Sequence, residues 1–267
     1  MITPLYGQLS PLKLGSILPI PMRTSGLQLW LDAADVSTIF DATSGGSLVT
    51  ADGSAVARWQ DKSGNGRHAT QSTANSRPVL KTSIKNGKNV LRFDGSNDWL
   101  QSNFTSVSQY SMFIVCKRNN SASNIYGNYT WIFGIGKNLD VNTASRLTQL
   151  GFTSSPDSFT WDPRSGTGTI SITRTDNFNI HSCIAPLGSG TARYLLNGAN
   201  EQTLNVSAFN ATTNTPLVAS IGTTTWDKSF PFFLNGDVSE ILVYDKALTT
   251  SQRQSIESYL NAKWALY

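Results

Sequence analysis

Short runs of β-branched and aromatic residues recur along most of the chain, separated by Gly, Asn, Asp and Ser. Runs of this length bounded by turn-forming residues are typical of the strands of a sandwich or barrel. They do not alternate with helical patterns. The runs predict strands over Leu27–Leu31, Val90–Phe93, Ser111–Lys117, Trp131–Ile135, Gly168–Thr173, Asn179–Ala185, Ala192–Leu196, Val218–Ile221 and Val238–Tyr244.

Two Asn-Gly pairs, Asn86-Gly87 and Asn197-Gly198, lie between strand-like runs. Asn-Gly supplies the two positive φ angles that a two-residue hairpin turn requires. Both pairs therefore predict antiparallel connections between neighbouring strands.

A single helix is predicted at the end of the chain, over residues 250–264. Thr249 and Gln252 have the spacing of a capping box, in which each side chain satisfies a free backbone N–H of the other residue. Apolar residues then follow at helical spacing: Ile256, Tyr259, Leu260 and Trp264. This stripe predicts a structural helix that packs against the strands.

The first 25 residues mix apolar side chains with four prolines, which forbid a continuous helix or a central strand. An extended arm is expected. One interpretation is a flexible leader. The other is a docking peptide whose apolar side chains are covered by a larger assembly. The apolar positions are Leu5, Tyr6, Leu9, Leu12, Leu14, Ile17, Leu18 and Ile20.

Composition narrows the class of protein. Charged residues make up only 14% of the chain, and Ser, Thr and Asn are abundant, which favours an all-β fold. The formal net charge is +4 and the pI is near 9.1, but the basic residues are scattered, so no nucleic-acid partner is expected. No stretch approaches 18 apolar residues, so no membrane insertion is expected. The proline-broken start is a poor signal peptide, which suggests synthesis in a cytoplasm.

Four phrases in order along the chain resemble bacterial and viral laminin G-like, concanavalin A-like domains, which are related to pentraxins. They are GLQLWLDAADV, WQDKSGNGRHA, VLRFDGSNDWL and the ending GDVSEILVYDKALTTSQRQSIESYLNAKWAL. The resemblance implies one all-β domain over residues 26–267. Its fold would be an antiparallel jelly-roll β-sandwich with a C-terminal helix, preceded by the docking arm of residues 1–25.

The two cysteines extend the resemblance. The segments around Cys116 and Cys183 look like the two strands that pentraxins join by a disulfide. The resemblance implies that these cysteines lie on neighbouring strands at bridgeable distance. A bond and a pair of buried free thiols both remain open, because a reducing cytoplasm would favour the thiols.

Calcium is a further expectation from the family, because many laminin G-like and pentraxin domains bind it at the rim of the sandwich. Hard cations prefer several oxygen ligands. The alternative is that these side chains form tight turns with the backbone, as Asp and Asn beside Gly commonly do. The candidate ligands are Asp61, Asn65, Asp94, Asn97 and Asp98.

The chain contains seven Trp and eight Tyr residues, which raises the question of a sugar-binding surface. Flat aromatic faces stack on apolar sugar faces, whereas simple packing is the alternative role of a large aromatic side chain. Trp30, Trp59, Trp99 and Trp264 are interpreted as packing residues. The glycan-binding candidates are Tyr126, Tyr129, Trp131, Trp161 and Trp226.

Catalysis is not expected. Glycan hydrolases need two carboxylates on opposite sides of the scissile bond. The nearest pair, Asp237 and Glu240, has a spacing that points the two side chains to opposite faces of a strand. The two histidines, His68 and His181, fall inside strand and loop phrases and offer little support for a catalytic triad.

Three functions are compatible with these features. The first is a non-catalytic component of a bacteriophage virion surface, a head decoration or tail appendage, made in the host cytoplasm and docked onto other virion proteins by residues 1–25. The second is a secreted or cell-surface carbohydrate-binding module that binds glycans. A glycan hydrolase is the distant third. The step from fold to function is analogy in each case.

Overall fold

The computed structural model describes residues 19–104, 108–119, 129–137, 146–154, 157–163, 169–173, 175, 177–207, 217–225 and 232–267. These residues form mainly strands. In chain order the elements are α1 (Ile20–Arg23), β1 (Leu27–Asp32), β2 (Ile39–Phe40), β3 (Arg58–Trp59), β4 (Ala69–Thr70), β5 (Val79–Lys85), β6 (Lys88–Asp94), β7 (Leu100–Phe104), β8 (Tyr110–Arg118), β9 (Tyr129–Lys137), β10 (Arg146–Ser154), β11 (Asp157–Asp162), β12 (Ile170–Thr173), β13 (Asn179–Ala185), β14 (Gly190–Leu196), β15 (Ala199–Val206), β16 (Leu217–Ile221), β17 (Asn235–Tyr244) and α2 (Thr250–Trp264).

The strands form two antiparallel sheets. Sheet A has the order β15-β14-β13-β8-β17-β6-β5, and β1 pairs with the second half of β17, beside β6. Sheet B has the order β12-β11-β10-β9-β16-β7-β4-β3-β2. All pairings are antiparallel, which confirms the predicted all-β sandwich of two antiparallel sheets.

The core lies between the inner faces of the two sheets. Along one ladder across sheet B, Leu100, Ile221, Phe133, Leu150 and Trp161 are paired neighbours, and all five are fully buried. The inner face of sheet A packs against them in the same apolar cluster. Burial of apolar surface of this kind is the dominant stabilising contribution to such a fold.

The strand predictions agree with the structure. Each predicted run falls within an observed strand, except that the first two residues of the run 168–173 precede β12. Asn86-Gly87 joins β5 to β6, and Asn197-Gly198 joins β14 to β15. The four φ angles are 49°, 67°, 53° and 72°, as a hairpin of this kind requires.

The outer face of sheet A is covered by helix α2, whose bounds match the prediction. Both bonds of the capping box are present: the N–H of Gln252 donates to Thr249 and that of Thr249 donates to Gln252. Ile256, Leu260 and Trp264 are buried in a second apolar cluster against this face. Neither α1, with 4 residues, nor α2, with 15, has the length and hydrophobicity to cross a bilayer.

The described end of the arm packs against the same face. Ile20–Arg23 forms one helical turn, whereas an extended arm was predicted. Pro21 is tolerated there because the first turn of a helix needs no backbone N–H donor. The Tyr244 hydroxyl donates to the carbonyl of Pro21 over 3.0 Å, and Ile20 packs on the second cluster. Docking residues Leu5, Tyr6, Leu9, Leu12, Leu14, Ile17 and Leu18 lie outside the described residues.

A β-bulge in β17 corrects the prediction that Asp237 and Glu240 point to opposite faces. Val238 pairs with Cys116, but Glu240 already pairs with Val115, so Ser239 is the extra residue. A bulge of one residue shifts the alternation of side chains. Val238 and Ile241 therefore face the core, whereas Asp237 and Glu240 both lie on the outer face of sheet A.

Glu240 is fully buried and joins four donors beneath helix α2. One carboxylate oxygen accepts from the indole of Trp30 and the hydroxyl of Tyr259, both over 2.8 Å. The other accepts from Lys263 over 2.8 Å and from the indole of Trp264 over 2.7 Å. Burial raises the pKa of Glu240, and Lys263 acts in the opposite direction.

The cysteine prediction is partly confirmed. Cys116 and Cys183 lie on the neighbouring strands β8 and β13, but both are free thiols. Cys183 pairs with Met112, four positions before Cys116, so the two Cα atoms are about 13 Å apart at about 3.3 Å per residue. This exceeds the reach of a disulfide, so the alternative of two buried thiols is the correct one.

The Glu240 network predicts a large loss of stability on truncation. We expect Glu240→Ala to lower the free energy of unfolding by about 3–5 kcal/mol, because Lys263 and two indole N–H groups lose their acceptor. Urea unfolding followed by circular dichroism measures the change. Glu201→Ala, at an exposed position of β15, is the matched control and should change stability by less than about 0.5 kcal/mol. Equal effects of the two substitutions would contradict the role assigned to Glu240.

Candidate functional site

The outer face of sheet B is polar, in contrast to that of sheet A. In β7, Leu100 and Phe104 face the core, so Gln101 and Asn103 face outward. The ladder through Gln101 continues to Thr70 on one side. On the other side it continues to Ser220, Gly134 and Gln149. A row of hydroxyl and amide side chains therefore crosses the sheet.

An open depression of about 420 Å³ lies where this row meets β4 and β7. Its volume is within the range of small-molecule binding sites. We call it the Trp99 depression, after the half-buried indole in its wall. The residues that line it are Thr43, Thr70, Gln71, Ser72, Trp99, Gln101 and Asn103.

Backbone contacts fix the position of Trp99. Its N–H donates to the carbonyl of Ser76 over 3.1 Å, and its own carbonyl accepts from the Gln71 side chain over 3.2 Å. The amide oxygen of Gln71 in turn accepts from the N–H of Thr73 over 2.9 Å. Gln71 is 2% exposed, so its side chain is held between β4 and the backbone of Trp99. The position of Trp99 is therefore fixed before any ligand binds.

Next to the depression the polar row passes beneath the segment Gly222–Thr225. The amide of Gln149 donates to the hydroxyl of Thr224 over 2.6 Å. The hydroxyls of Ser220, Thr223 and Thr225 are buried without a hydrogen-bond partner among the described residues. A buried hydroxyl without a hydrogen-bond partner costs free energy.

Trp161, a predicted glycan-binding residue, lies in the core instead. It is fully buried, and its indole donates to the hydroxyl of Thr148 over 3.0 Å. The Tyr110 ring meets it edge-on, with centroids 6.5 Å apart. The polar surroundings in the sequence suggested exposure, but the alternation of β11 turns Trp161 inward and its polar neighbours outward. This prediction was wrong.

Trp131 lies on the outer face of sheet B but is only 7% exposed. Gly151 makes room for it, because a Cβ there would be 2.7 Å from a carbon of the indole ring. Trp131 therefore packs over Gly151 and offers little surface to a sugar. Tyr129 begins β9, but its side chain is outside the described residues, as are Tyr126 and Trp226.

Sequence reasoning missed Trp99, which was interpreted as a packing residue. The signal that could have found it is alternation: Trp99, Gln101 and Asn103 form one set, and Leu100, Ser102 and Phe104 the other. A Trp in the polar set of a half-exposed strand faces the outer surface.

The first pair of calcium candidates forms a turn. The carboxylate of Asp61 accepts from the backbone N–H groups of Trp30, Ser63 and Arg67 and from the Ser63 hydroxyl, all within 3.0 Å. Asn65 donates its amide to the carbonyls of Leu27 and Gln28. All four lone-pair positions of Asp61 are therefore used, and this loop does not fit a cation.

The second group of calcium candidates lies in the loop after β6. One oxygen of Asp94 accepts from the N–H groups of Ser96, Asn97 and Asp98, and Asp98 accepts from the N–H of Asp94. Asn97 is exposed. Among the described residues there is no group of three or more His, Cys, Asp or Glu side chains placed to hold a metal. Calcium binding at this loop stays a prediction.

Asp98 is buried and close to the Asp94 carboxylate. Burial, reinforced by the repulsion of Asp94, raises the pKa of Asp98 to about 7. The carboxyl group is therefore partly protonated near neutral pH.

No family model and no curated protein matches the chain. Among solved structures, a Trypanosoma rangeli sialidase in complex with a difluoro-KDN ligand is similar with a TM-score of 0.58 and 12% identity, covering 91% of this chain and 33% of that chain. A tryptophan-to-alanine mutant of HCR D/C VPI 5995 is similar with a TM-score of 0.57 and 12% identity, covering 91% and 53%. The sialidase bound to the inhibitor DANA gives 0.54 and 12%, covering 88% and 33%.

This chain spans about a third to a half of the length of these structures. At 12% identity the likeness establishes the fold alone, a β-sandwich. The narrower assignment to the concanavalin A-like, laminin G-like family stays a prediction.

The raised pKa of Asp98 predicts how stability depends on pH. The folded state holds this proton more tightly than the unfolded chain, whose pKa is 3.8. The stabilisation is therefore complete below pH 3.8 and is lost as the pH rises through about 7. We expect Asp98→Asn to remove this decline from urea unfolding measured at a series of pH values.

Asp52→Asn is the control, because the Lys81 side chain lowers the pKa of Asp52 and gives a pH dependence of opposite sign. Adding calcium to the wild-type series tests the metal hypothesis, since a bound cation would lower the pKa of Asp98. A decline that survives Asp98→Asn would contradict the assignment.

Proposed function

We propose that this protein is a non-catalytic glycan-binding module that binds its ligand in the Trp99 depression. The observation that carries the proposal is the lining itself: one indole among hydroxyl and amide side chains, on the open outer face of a sheet. Trp99 offers an apolar surface for the carbon face of a sugar ring. Amides and hydroxyls both donate and accept, which matches the donor and acceptor pattern of sugar hydroxyls.

Preorganisation supports the same function. Gln71 and Ser76 hold the backbone of Trp99 in place, and the strands β4 and β7 hold Thr70 and Gln101. A weakly bound ligand such as a sugar gains most from a wall that needs no ordering on binding. The fold is compatible with glycan binding, since a Trypanosoma rangeli sialidase solved in complex with sialic acid shares it over about a third of its chain.

We propose binding without catalysis because the carboxylates that could act on a glycan do not line the Trp99 depression. Hydrolysis of a glycosidic bond needs two carboxyl groups about 5–10 Å apart across the substrate. None of the seven residues of the Trp99 depression is a carboxylate. Asp237 is paired with Arg92 over 2.7 Å, and Glu240 is enclosed under helix α2, both on the opposite sheet.

The virion hypothesis rests on the arm of residues 1–25, most of which lies outside the described residues. No comparison bears on a capsid or tail role, on the virion surface as a location, or on other virion proteins as partners. These remain predictions of the sequence. A glycan-binding module is compatible with them and with an extracellular or cell-surface location.

Substitutions in the depression test the proposal. We expect Trp99→Ala to weaken glycan binding about tenfold or more, because an aromatic contact contributes on the order of 1.5 kcal/mol. Asn103→Ala should weaken it about two- to tenfold through the loss of one hydrogen bond. A glycan array identifies the ligand, and isothermal titration calorimetry then measures the affinity of each variant.

Asn205→Ala, at an exposed position of β15 in sheet A, is the matched control for Asn103→Ala and should leave affinity unchanged. Circular dichroism verifies that each variant is folded. An array with no bound glycan, with or without calcium, would refute the glycan-binding function. Binding that survives both depression variants would place the site elsewhere.

A further inference from the structure

We infer, on the basis of the proposed function, that the Trp99 depression selects electrically neutral glycans and rejects acidic ones such as sialylated or uronate-containing oligosaccharides. Neither the fold nor the similar structures determine the charge of the ligand. That charge is constrained by the side chains that line the depression and by the contacts of the two arginines beside it, Arg58 and Arg77.

The lining carries no formal charge. All seven side chains are hydroxyls, amides or an indole: Thr43, Thr70, Gln71, Ser72, Trp99, Gln101 and Asn103. None of them titrates between about pH 4 and about pH 9, so the depression keeps the same charge over this range. Such groups satisfy sugar hydroxyls well, but they do not supply the charge-assisted bonds that a carboxylate prefers.

Arg77 lies beside the rim, where three of its five N–H donors bond backbone carbonyls. Its guanidinium donates to the carbonyl of Gln71 over 3.1 Å, to that of Ser72 over 3.2 Å and to that of Asp41 over 3.3 Å. These bonds brace two lining residues from outside the depression. If Arg77 turned toward an anion, the rim that it braces would lose its support.

Arg58 pairs with Thr70 across β3 and β4, so both side chains lie on the outer face of sheet B, but the arginine extends away from the depression toward Phe40. Its guanidinium lies 4.0 Å from the centre of the Phe40 ring, one strand further from the site, and donates to the carbonyl of Gly45 over 2.9 Å. Its Nε is buried. A carboxylate in the depression would therefore have to draw Arg58 away from Phe40 and Gly45, or Arg77 away from the carbonyls that it bonds.

Selectivity follows from the cost of moving an anion into this site. A carboxylate that leaves water without a cationic partner loses hydration that amides and hydroxyls replace only in part. A neutral sugar exchanges its hydrogen bonds with water for similar bonds with the lining. The same oligosaccharide should therefore bind less tightly once it carries a carboxylate at the sugar that occupies the depression.

The test uses matched pairs of oligosaccharides that differ only in a terminal neutral or acidic sugar, titrated against the whole protein by calorimetry. We expect the acidic member of each pair to bind at least about tenfold more weakly, as expected for an unpaired charge. The affinity for the neutral member should not change between about 0.05 M and about 0.5 M salt, because no charge pair contributes to it.

Asn103→Lys sharpens the test by adding a cation at an exposed position of the lining. We expect this variant to reduce the difference in affinity between the neutral and acidic members of a pair about threefold or more, as a new partly exposed charge pair would. We call this difference the gap. Asn205→Lys on β15 adds the same charge to sheet A and should leave the gap unchanged.

Each outcome bears differently on charge selection and on glycan binding. Stronger binding of the acidic members, weakened by salt, would overturn the selection of neutral glycans and leave glycan binding intact. An absence of binding to every member would overturn glycan binding at this depression and the charge selection with it. An equal reduction of the gap by Asn103→Lys and Asn205→Lys would show that net charge, not the depression, sets the preference.

Discussion

The buried carboxylate of Glu240 holds the two ends of the domain together. It connects the first strand of the sandwich, through Trp30, with the last helix, through Tyr259, Lys263 and Trp264. Lys263 also reaches Asp32 at the end of β1 over 2.6 Å. A buried charge tolerates few arrangements of its partners, so it fixes where strand and helix meet. The bulge at Ser239 makes this possible by turning Glu240 outward beneath the helix.

This arrangement assigns different roles to the two outer faces. Helix α2 and the one-turn helix α1 cover the outer face of sheet A with an apolar cluster, so that face contributes to stability. Sheet B then presents the polar row through Thr70, Gln101 and Ser220. A face that needs no apolar cover can hold side chains chosen for contact with a ligand. The position of the helix on one sheet thus leaves the other sheet for the site.

Nine of the seventeen described strands and helix α2 could be predicted from the sequence because their signals are local. Runs of β-branched and aromatic residues, Asn-Gly turns and the capping box of Thr249 each depend on residues a few positions apart, and each of these predictions agrees with the structure. The register between strands is not local. The offset between Cys116 and Cys183 and the bulge at Ser239 depend on pairings across sheet A. For this reason the expected bridgeable distance of the cysteines and the expected opposite faces of Asp237 and Glu240 were wrong.

The site was harder to predict for the same reason. Trp161 has polar neighbours in sequence but lies in the core, whereas Trp99 directly precedes the core residue Leu100 but lines the outer surface. Side chains alternate between the two faces along a strand, so the position of a residue in its strand decides on which face of the sheet its side chain lies.

Buried polar side chains on the outer face of sheet B lower the free energy of unfolding relative to apolar side chains at the same positions. The hydroxyls of Ser220, Thr223 and Thr225 are buried without partners among the described residues. Gln71 is buried as well, with its amide group bonded to the carbonyl of Trp99 and the N–H of Thr73. Features that lower stability persist where function requires them. Unpaired buried atoms also occur beside helix α2, at Ser239 and Arg253, although the carboxylate of Glu240 there has four donors. The reason to look for the ligand on sheet B is therefore the open, polar lining of the Trp99 depression, next to which the three hydroxyls of sheet B lie.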